Sequence, residues 1–143
     1  MNAALVSSIN KPIIRLAQPY EGKVVQTLLV RFGGAPDNLV SWDDVYPYWL
    51  LGEYDGIARG TIMAVPGKPF GRVEFLATDS SLSHRQRAIL IRDLCYAAAE
   101  ACKQGGSQLV LSTISYTNEH WERLVMKRGC IPIDWGTFLC KRV

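Results

Sequence analysis

No two cysteines of this sequence stand in a CxxC pair, and only His84 and His120 are available to join Cys95, Cys102, Cys130 and Cys140 in a ligand set, which argues against a structural zinc centre. Cys95 and Cys102 lie seven apart inside a helical pattern, about 10 Å along the axis, too far for a disulfide. The cysteines are expected to be reduced and to behave as small hydrophobes. No window approaches the ~20 apolar residues of a membrane span. Met1 to Asn10 has neither an early positive charge nor a long apolar stretch. The expectation is a cytoplasmic protein without a membrane partner. Neither sign of charge prevails: 16 Lys plus Arg against 13 Asp plus Glu give +3, with the basic residues scattered, so nucleic acid is not an expected partner. A local anion site stays open. What remains is 143 residues, 48% of them hydrophobic, the composition of one globular domain over residues 1–143. A chain of that length buries roughly 68 to 70% of its unfolded surface, so no cross-link or metal is needed to hold it together.

Along the chain, Pro12 to Ala17 reads as a strand. Pro19 then precedes a helical pattern in which Val24 or Val25, Leu28 or Leu29, and Phe32 recur at 3.6 spacing, stopped by Gly33 and Gly34. Ala35 to Tyr48 reads as a loop with one short helix near Ser41 to Tyr46. Strands follow at Tyr48 to Tyr54, Ile57 to Val65 and Arg72 to Thr78, the first two joined by Asp55-Gly56, a strong hairpin signal. Ser83 and Gln86 have capping-box spacing at the head of a long helix, His84 to Gln104, with apolar Ile91, Leu94, Cys95, Ala98 and Cys102 and a Gly105-Gly106 stop. Gln108 to Ser115 reads as a buried strand and Asn118 to Arg128 as a helix ended by Gly129. Cys130 to Ile133 and Thr137 to Lys141 form a last hairpin. An antiparallel meander plus one strand-helix-strand crossover predicts an α/β (α+β) protein with a mixed, mostly antiparallel central sheet and helices on both faces.

In element order, over nearly its whole length, the chain resembles the GCN5-related N-acetyltransferase (GNAT) superfamily. Asn118, Trp121, Leu124, Val125, Gly129 and Cys130 occupy the places where the family often shows Asn, Ala, Leu, Tyr, Gly and Phe. The segment RVEFLATDSSLSHRQRAILIRDL, Arg72 to Leu94, is similar to the family's fourth strand, its coenzyme A phosphate loop and the helix after it. The family's RxxGxG/A pattern then falls on Arg85, Gln86, Arg87, Ala88, Ile89 and Leu90, with neither glycine place filled by glycine. A helix N-terminus binds pyrophosphate through unpaired N–H groups and its positive dipole end, and glycine lets the oxygens approach. Ala88 is a mild departure. Leu90 would place a whole isobutyl group in the cradle unless it turns inward, while Arg85 and Arg87 can offset lost contacts with charge-assisted bonds.

The resemblance implies acetyl-CoA as cosubstrate and an amine as acceptor, a small molecule or a protein. It places main-chain groups of Leu76, Ala77 and Thr78, and Asn118, beside the coenzyme. Amine attack on a thioester needs a base and an acid. Glu74, the carboxylate of the fourth strand, is the candidate base; its plainer reading is a solvent-facing strand residue. Alternation sends Glu74 and Leu76 to one face and Val73 and Phe75 to the other. The family's acid place is Val125, which cannot donate a proton, so Tyr116 is the substitute candidate, against half-buried packing with a wet hydroxyl. His84 and His120 are more remote options. Trp42, Asp43, Asp44, Val45, Tyr46, Pro47, Tyr48 and Trp49 match the acceptor region, where aromatics with acids would enclose a cationic amine or merely pack a loop onto the sheet.

Two functions follow from these residues. One is an acetyl-CoA-dependent N-acetyltransferase with an atypical phosphate loop. The other is a catalytically degenerate GNAT-fold binding or assembly module, for example a phage virion component, as the altered places Ala88, Leu90 and Val125 would suggest. A homo-oligomer or an assembly partner stays open.

Overall fold

The computed structural model describes residues 11–33, 46–113, 123, 126, 127, 129, 131–134 and 137–142. They form β1 (Ile13–Leu16), α1 (Gly22–Phe32), β2 (Trp49–Tyr54), β3 (Ile57–Val65), β4 (Phe70–Thr78), α2 (His84–Gln104), β5 (Leu109–Thr113), β6 (Ile131–Asp134) and β7 (Thr137–Arg142). One-turn 3₁₀ helices at Pro19–Glu21 and Tyr46–Tyr48 lead into α1 and β2. The expected short helix at Ser41 to Tyr46 lies outside the described residues except for Tyr46. Of the expected helix Asn118 to Arg128, Arg123, Met126 and Lys127 are described and helical, and Gly129 follows in the left-handed region with φ 86°. The described residues fall into two compact units, Met1–Ile62 with Phe75–Ala97 and Met63–Glu74 with Ala98–Val143.

In the first unit the strands run in the order β1-β2-β3-β4. β1 pairs antiparallel with β2, from Ile13↔Glu53 to Leu16↔Leu50. β2 turns into β3 through Asp55 and Gly56, whose φ values of 53° and 75° supply the two left-handed residues of a tight hairpin. The pleat decides which helix covers which face, because neighbouring residues of a strand point to opposite sides. Arg15 and Glu53 face the start of α1: the Arg15 guanidinium donates to Glu21 at 2.5 and 2.7 Å and to Glu53 at 2.6 and 3.0 Å. The Arg15 hydrogen bonds hold the Glu21 carboxyl below the ordinary carboxylate range. Their neighbours Ile14 and Gly52 face α2 instead. A Cβ on Gly52 would run into the Leu90 side chain, and one on Gly60 would stand 3.0 Å from Leu90 and 3.1 Å from Leu94, so bare backbone at two strands seats the helix. Helices therefore lie on both faces of this unit's sheet, as expected. Val25, Leu28 and Leu29, one stripe of α1, are buried, as are Leu90 and Leu94 of α2. Each such side chain contributes about 1.5–3 kcal/mol by leaving water.

In the second unit the order is β4-β5-β7-β6. β4 and β5 run parallel, from Phe70↔Leu109 to Arg72↔Leu111, the geometry a helical crossover produces. β5 pairs antiparallel with β7 and β7 with β6. The end of α2 packs here through Ala98 and Cys102, both fully buried. A Cβ on Gly71 would stand 2.9 Å from the Cys102 sulfur. Cys95 and Cys102 are free thiols, and burial pushes the Cys102 thiol up. Ile91 and Cys95, read from sequence as core, are half-buried.

Candidate functional site

The residues of interest in the first unit run from the end of β4 into α2. At Phe75 the backbone enters the left-handed region, φ 58°, in the middle of a strand and at a residue type that rarely adopts it. Such a conformation costs on the order of 1–3 kcal/mol and persists only where its surroundings enforce it. Here the Phe75 ring packs on Trp49, centroids 6.1 Å apart, and Trp49 is fully buried. Trp49 thus serves packing, the plainer of its two sequence readings. After Phe75 come Leu76, half-buried, and Ala77 and Thr78, both buried.

Asp79 follows, 8% exposed. Its Oδ1 accepts the Ser81 amide at 2.8 Å and the Ser81 hydroxyl at 2.7 Å, and its Oδ2 accepts Nη1 of Arg59 at 2.7 Å. The Asp79 amide in turn donates to the Arg59 carbonyl at 2.7 Å, and its carbonyl accepts the Leu82 amide at 3.3 Å. Burial alone would raise the Asp79 pKa, but the bonds from Ser81 and Arg59 outweigh it and hold the carboxyl below its ordinary value.

This anchored turn delivers Ser83 to the head of α2. The Ser83 hydroxyl accepts the Gln86 amide and the Gln86 side chain accepts the Ser83 amide, each at 3.2 Å, completing the expected capping box. The Arg87 amide donates to the Ser83 carbonyl at 2.9 Å. The amides of His84 and Arg85, the first of the helix, have no partner among the described residues. Arg87 donates Nε to the Thr78 hydroxyl at 3.0 Å, which fixes the side chain and leaves its terminal amino groups uncommitted there. Arg85 is exposed, and Ala88 is exposed. Leu90 is fully buried against Gly52 and Gly60. The feared obstruction is absent: Leu90 turns into the sheet and leaves the helix N-terminus clear. Backbone N–H groups, a positive dipole end and two guanidinium groups make this segment suited to a polyanion.

Glu74, in the second unit, accepts Arg72 Nη2 at 2.9 Å and Nε at 3.2 Å. Its side chain is 18% exposed and that of Arg72 55%, so the pair is worth roughly 0–1 kcal/mol. Tyr116, Asn118, His120, Val125 and Trp42 to Val45 lie outside the described residues. The structure adds Arg59 and Asp79, which sequence reasoning passed over. Asp79-Ser80-Ser81 before a capped helix is a readable turn signal, whereas the partner Arg59, twenty residues earlier, leaves no local trace.

No family model matches the sequence, and no curated protein matches it. Solved structures do. A Mycobacterium tuberculosis protein in complex with coenzyme A is similar with a TM-score of 0.68 at 16% identity, covering 85% of this chain and 73% of that one. Diaminobutyrate acetyltransferase from Paenibacillus lautus, solved with L-2,4-diaminobutyric acid and coenzyme A, reaches 0.67 at 18%, covering 93% and 96%. Drosophila melanogaster polyamine N-acetyltransferase reaches 0.68 at 14%, covering 87% and 85%. Identities this low speak for the fold.

Proposed function

We propose that this chain, which has the GCN5-related N-acetyltransferase fold, is an acetyl-CoA-dependent N-acetyltransferase acting on an amine. The observation that carries the reading is the position of Leu90: with that side chain buried in the sheet, the start of α2 offers the His84 and Arg85 amides together with the Arg85 and Arg87 guanidinium groups. Acetyl-CoA brings its own diphosphate, which those groups would hold, and a thioester activated toward amines. The chain's part is to bind, orient and manage protons. Thr78 aims Arg87, and the left-handed turn at Phe75 sets the direction of the Leu76 to Thr78 main chain, which is proposed to line the pantetheine and thioester.

Glu74 is proposed as the base that takes the proton of the attacking amine, with Tyr116 as the acid that protonates the leaving thiolate and Asn118 on the coenzyme side. The family resemblance supports these three roles. The acceptor is an amine, as for the two similar acetyltransferases whose substrates are diaminobutyric acid and polyamines.

Thermal unfolding with and without acetyl-CoA tests the reading. At ~100 times the dissociation constant the ligand adds about 2.7 kcal/mol, a rise of several degrees for a chain of this size. An unchanged transition at millimolar acetyl-CoA would leave the fold without the reaction.

A further inference from the structure

A carboxylate held at the foot of a helix that must bind a diphosphate is electrostatically misplaced, and Asp79 is such a carboxylate. It is buried, bonded twice to Ser81 in the turn that leads into α2, and charged at neutral pH. Its negative charge would repel an incoming polyanion in surroundings where water screens poorly. The countercharge comes from β3: Arg59 Nη1 donates to Asp79 Oδ2 at 2.7 Å, and the Asp79 amide returns a bond to the Arg59 carbonyl at 2.7 Å. The Arg59 side chain is 32% exposed, but its Nε is buried and has no hydrogen-bond partner among the described residues. A buried donor left unmade is costly, so packing has fixed this guanidinium at the carboxylate despite an unspent N–H.

We propose that Arg59 is a positioning and charge-cancelling residue for coenzyme binding: it neutralises Asp79 so that the turn can be tied down by a carboxylate without the N-terminus of α2 losing its affinity for a diphosphate. The proposal rests on the functional reading above. It differs from plain structural support in the pattern of variants it requires. If the ion pair only stabilised the turn, removing either partner would weaken coenzyme binding and removing both would do no better. Charge cancellation requires opposite signs and a rescue.

The test is calorimetric titration of coenzyme A into the full chain and into Arg59→Met, Arg59→Lys, Asp79→Asn and the Arg59→Met/Asp79→Asn double variant. Asn keeps a carbonyl oxygen for the two Ser81 bonds and drops the charge. Arg59→Met, leaving Asp79 uncancelled, should weaken binding at least about tenfold, since a charge several ångströms from the ligand acts strongly at the low effective dielectric of a partly buried site. Asp79→Asn should bind as well as the parent or tighter. The double variant should return to within about threefold of the parent, and Arg59→Lys, which keeps the charge, to within about twofold. Should Arg59→Met fail to fold, the ordering of parent, Arg59→Lys and Asp79→Asn still decides, because Asp79→Asn binding clearly weaker than the parent overturns the proposal. A double variant as weak as Arg59→Met overturns it too, as does Arg59→Met binding like the parent. Coenzyme binding absent from the parent itself would overturn the functional reading together with this inference, whereas parent binding with no rescue overturns the inference alone.

Discussion

Leu90 stands where a glycine is expected for close approach of a phosphate, and restoring a small residue there separates two accounts of the helix. In the structure the side chain is fully buried, seated over the bare backbone of Gly52 and Gly60 on the sheet side of α2. Truncating it to alanine removes a buried isopropyl group that sits over two strand positions, Gly52 and Gly60, with no side chains of their own to fill the space. That is a poorly collapsible site, so the loss should sit within the usual ~2–5 kcal/mol of Leu→Ala changes. Going on to glycine adds about 1 kcal/mol for the helix interior. Against a total stability of about 5–15 kcal/mol for an ordinary domain, Leu90→Gly approaches the limit of folding and Leu90→Ala is the usable variant. Urea unfolding should show the midpoint of Leu90→Ala falling by a few kcal/mol of stability, with an unchanged slope. Coenzyme A affinity measured in the folded protein should stay within about twofold. A variant as stable as the parent that binds coenzyme A more tightly would show Leu90 standing in the cradle and refute the orientation on which the functional reading depends.

Two further outcomes follow from the site. Because the Asp79 pKa is lowered in the folded chain, its ion pair and Ser81 bonds contribute stability that is present above the unfolded value of about 3.9 and lost as the pH falls through the lower folded value. Urea midpoints between pH 6 and 2 should therefore fall less steeply on acidification for Asp79→Asn than for the parent, and parallel profiles would contradict the assignment. Glu74→Gln should lower turnover about 10²-fold or more, the usual ~10²–10⁴ reach of general-base catalysis, with coenzyme A affinity unchanged. Initial rates equal to the parent's would remove Glu74 from the base role.

The fold was legible where local chemistry and long-range packing ask for the same thing. Asp55-Gly56 needs two left-handed residues, and the sequence puts there the types that tolerate them. His84 to Gln104 begins with a capping box, carries a four-residue apolar spacing and ends at glycines, and the helix occupies those residues. Leu90 was itself readable, since it continues the spacing of Leu94, Ala98 and Cys102 toward the helix start, all fully buried. The family's glycine place drew attention to its bulk rather than to its face. Phe75 was not legible: nothing in an aromatic residue within a strand announces a left-handed backbone, which here is imposed by surroundings that include Trp49. The Arg59 to Asp79 pair was hidden for a different reason. Its two halves meet only once β3 and β4 are assembled, and charge spacing along a sequence does not encode that meeting.

The central claim is that the start of α2 holds a coenzyme diphosphate with Arg85 and Arg87 in place of glycine-lined backbone. Calorimetric titration of coenzyme A into the parent and into Arg85→Ala/Arg87→Ala puts it to the test directly. The account predicts saturable one-site binding by the parent and a loss of about 10²-fold or more in the double variant, as two charge-assisted contacts of roughly 1.5–3 kcal/mol each disappear. Equal affinity in the two proteins, or heat absent from the parent at millimolar coenzyme A, would contradict it.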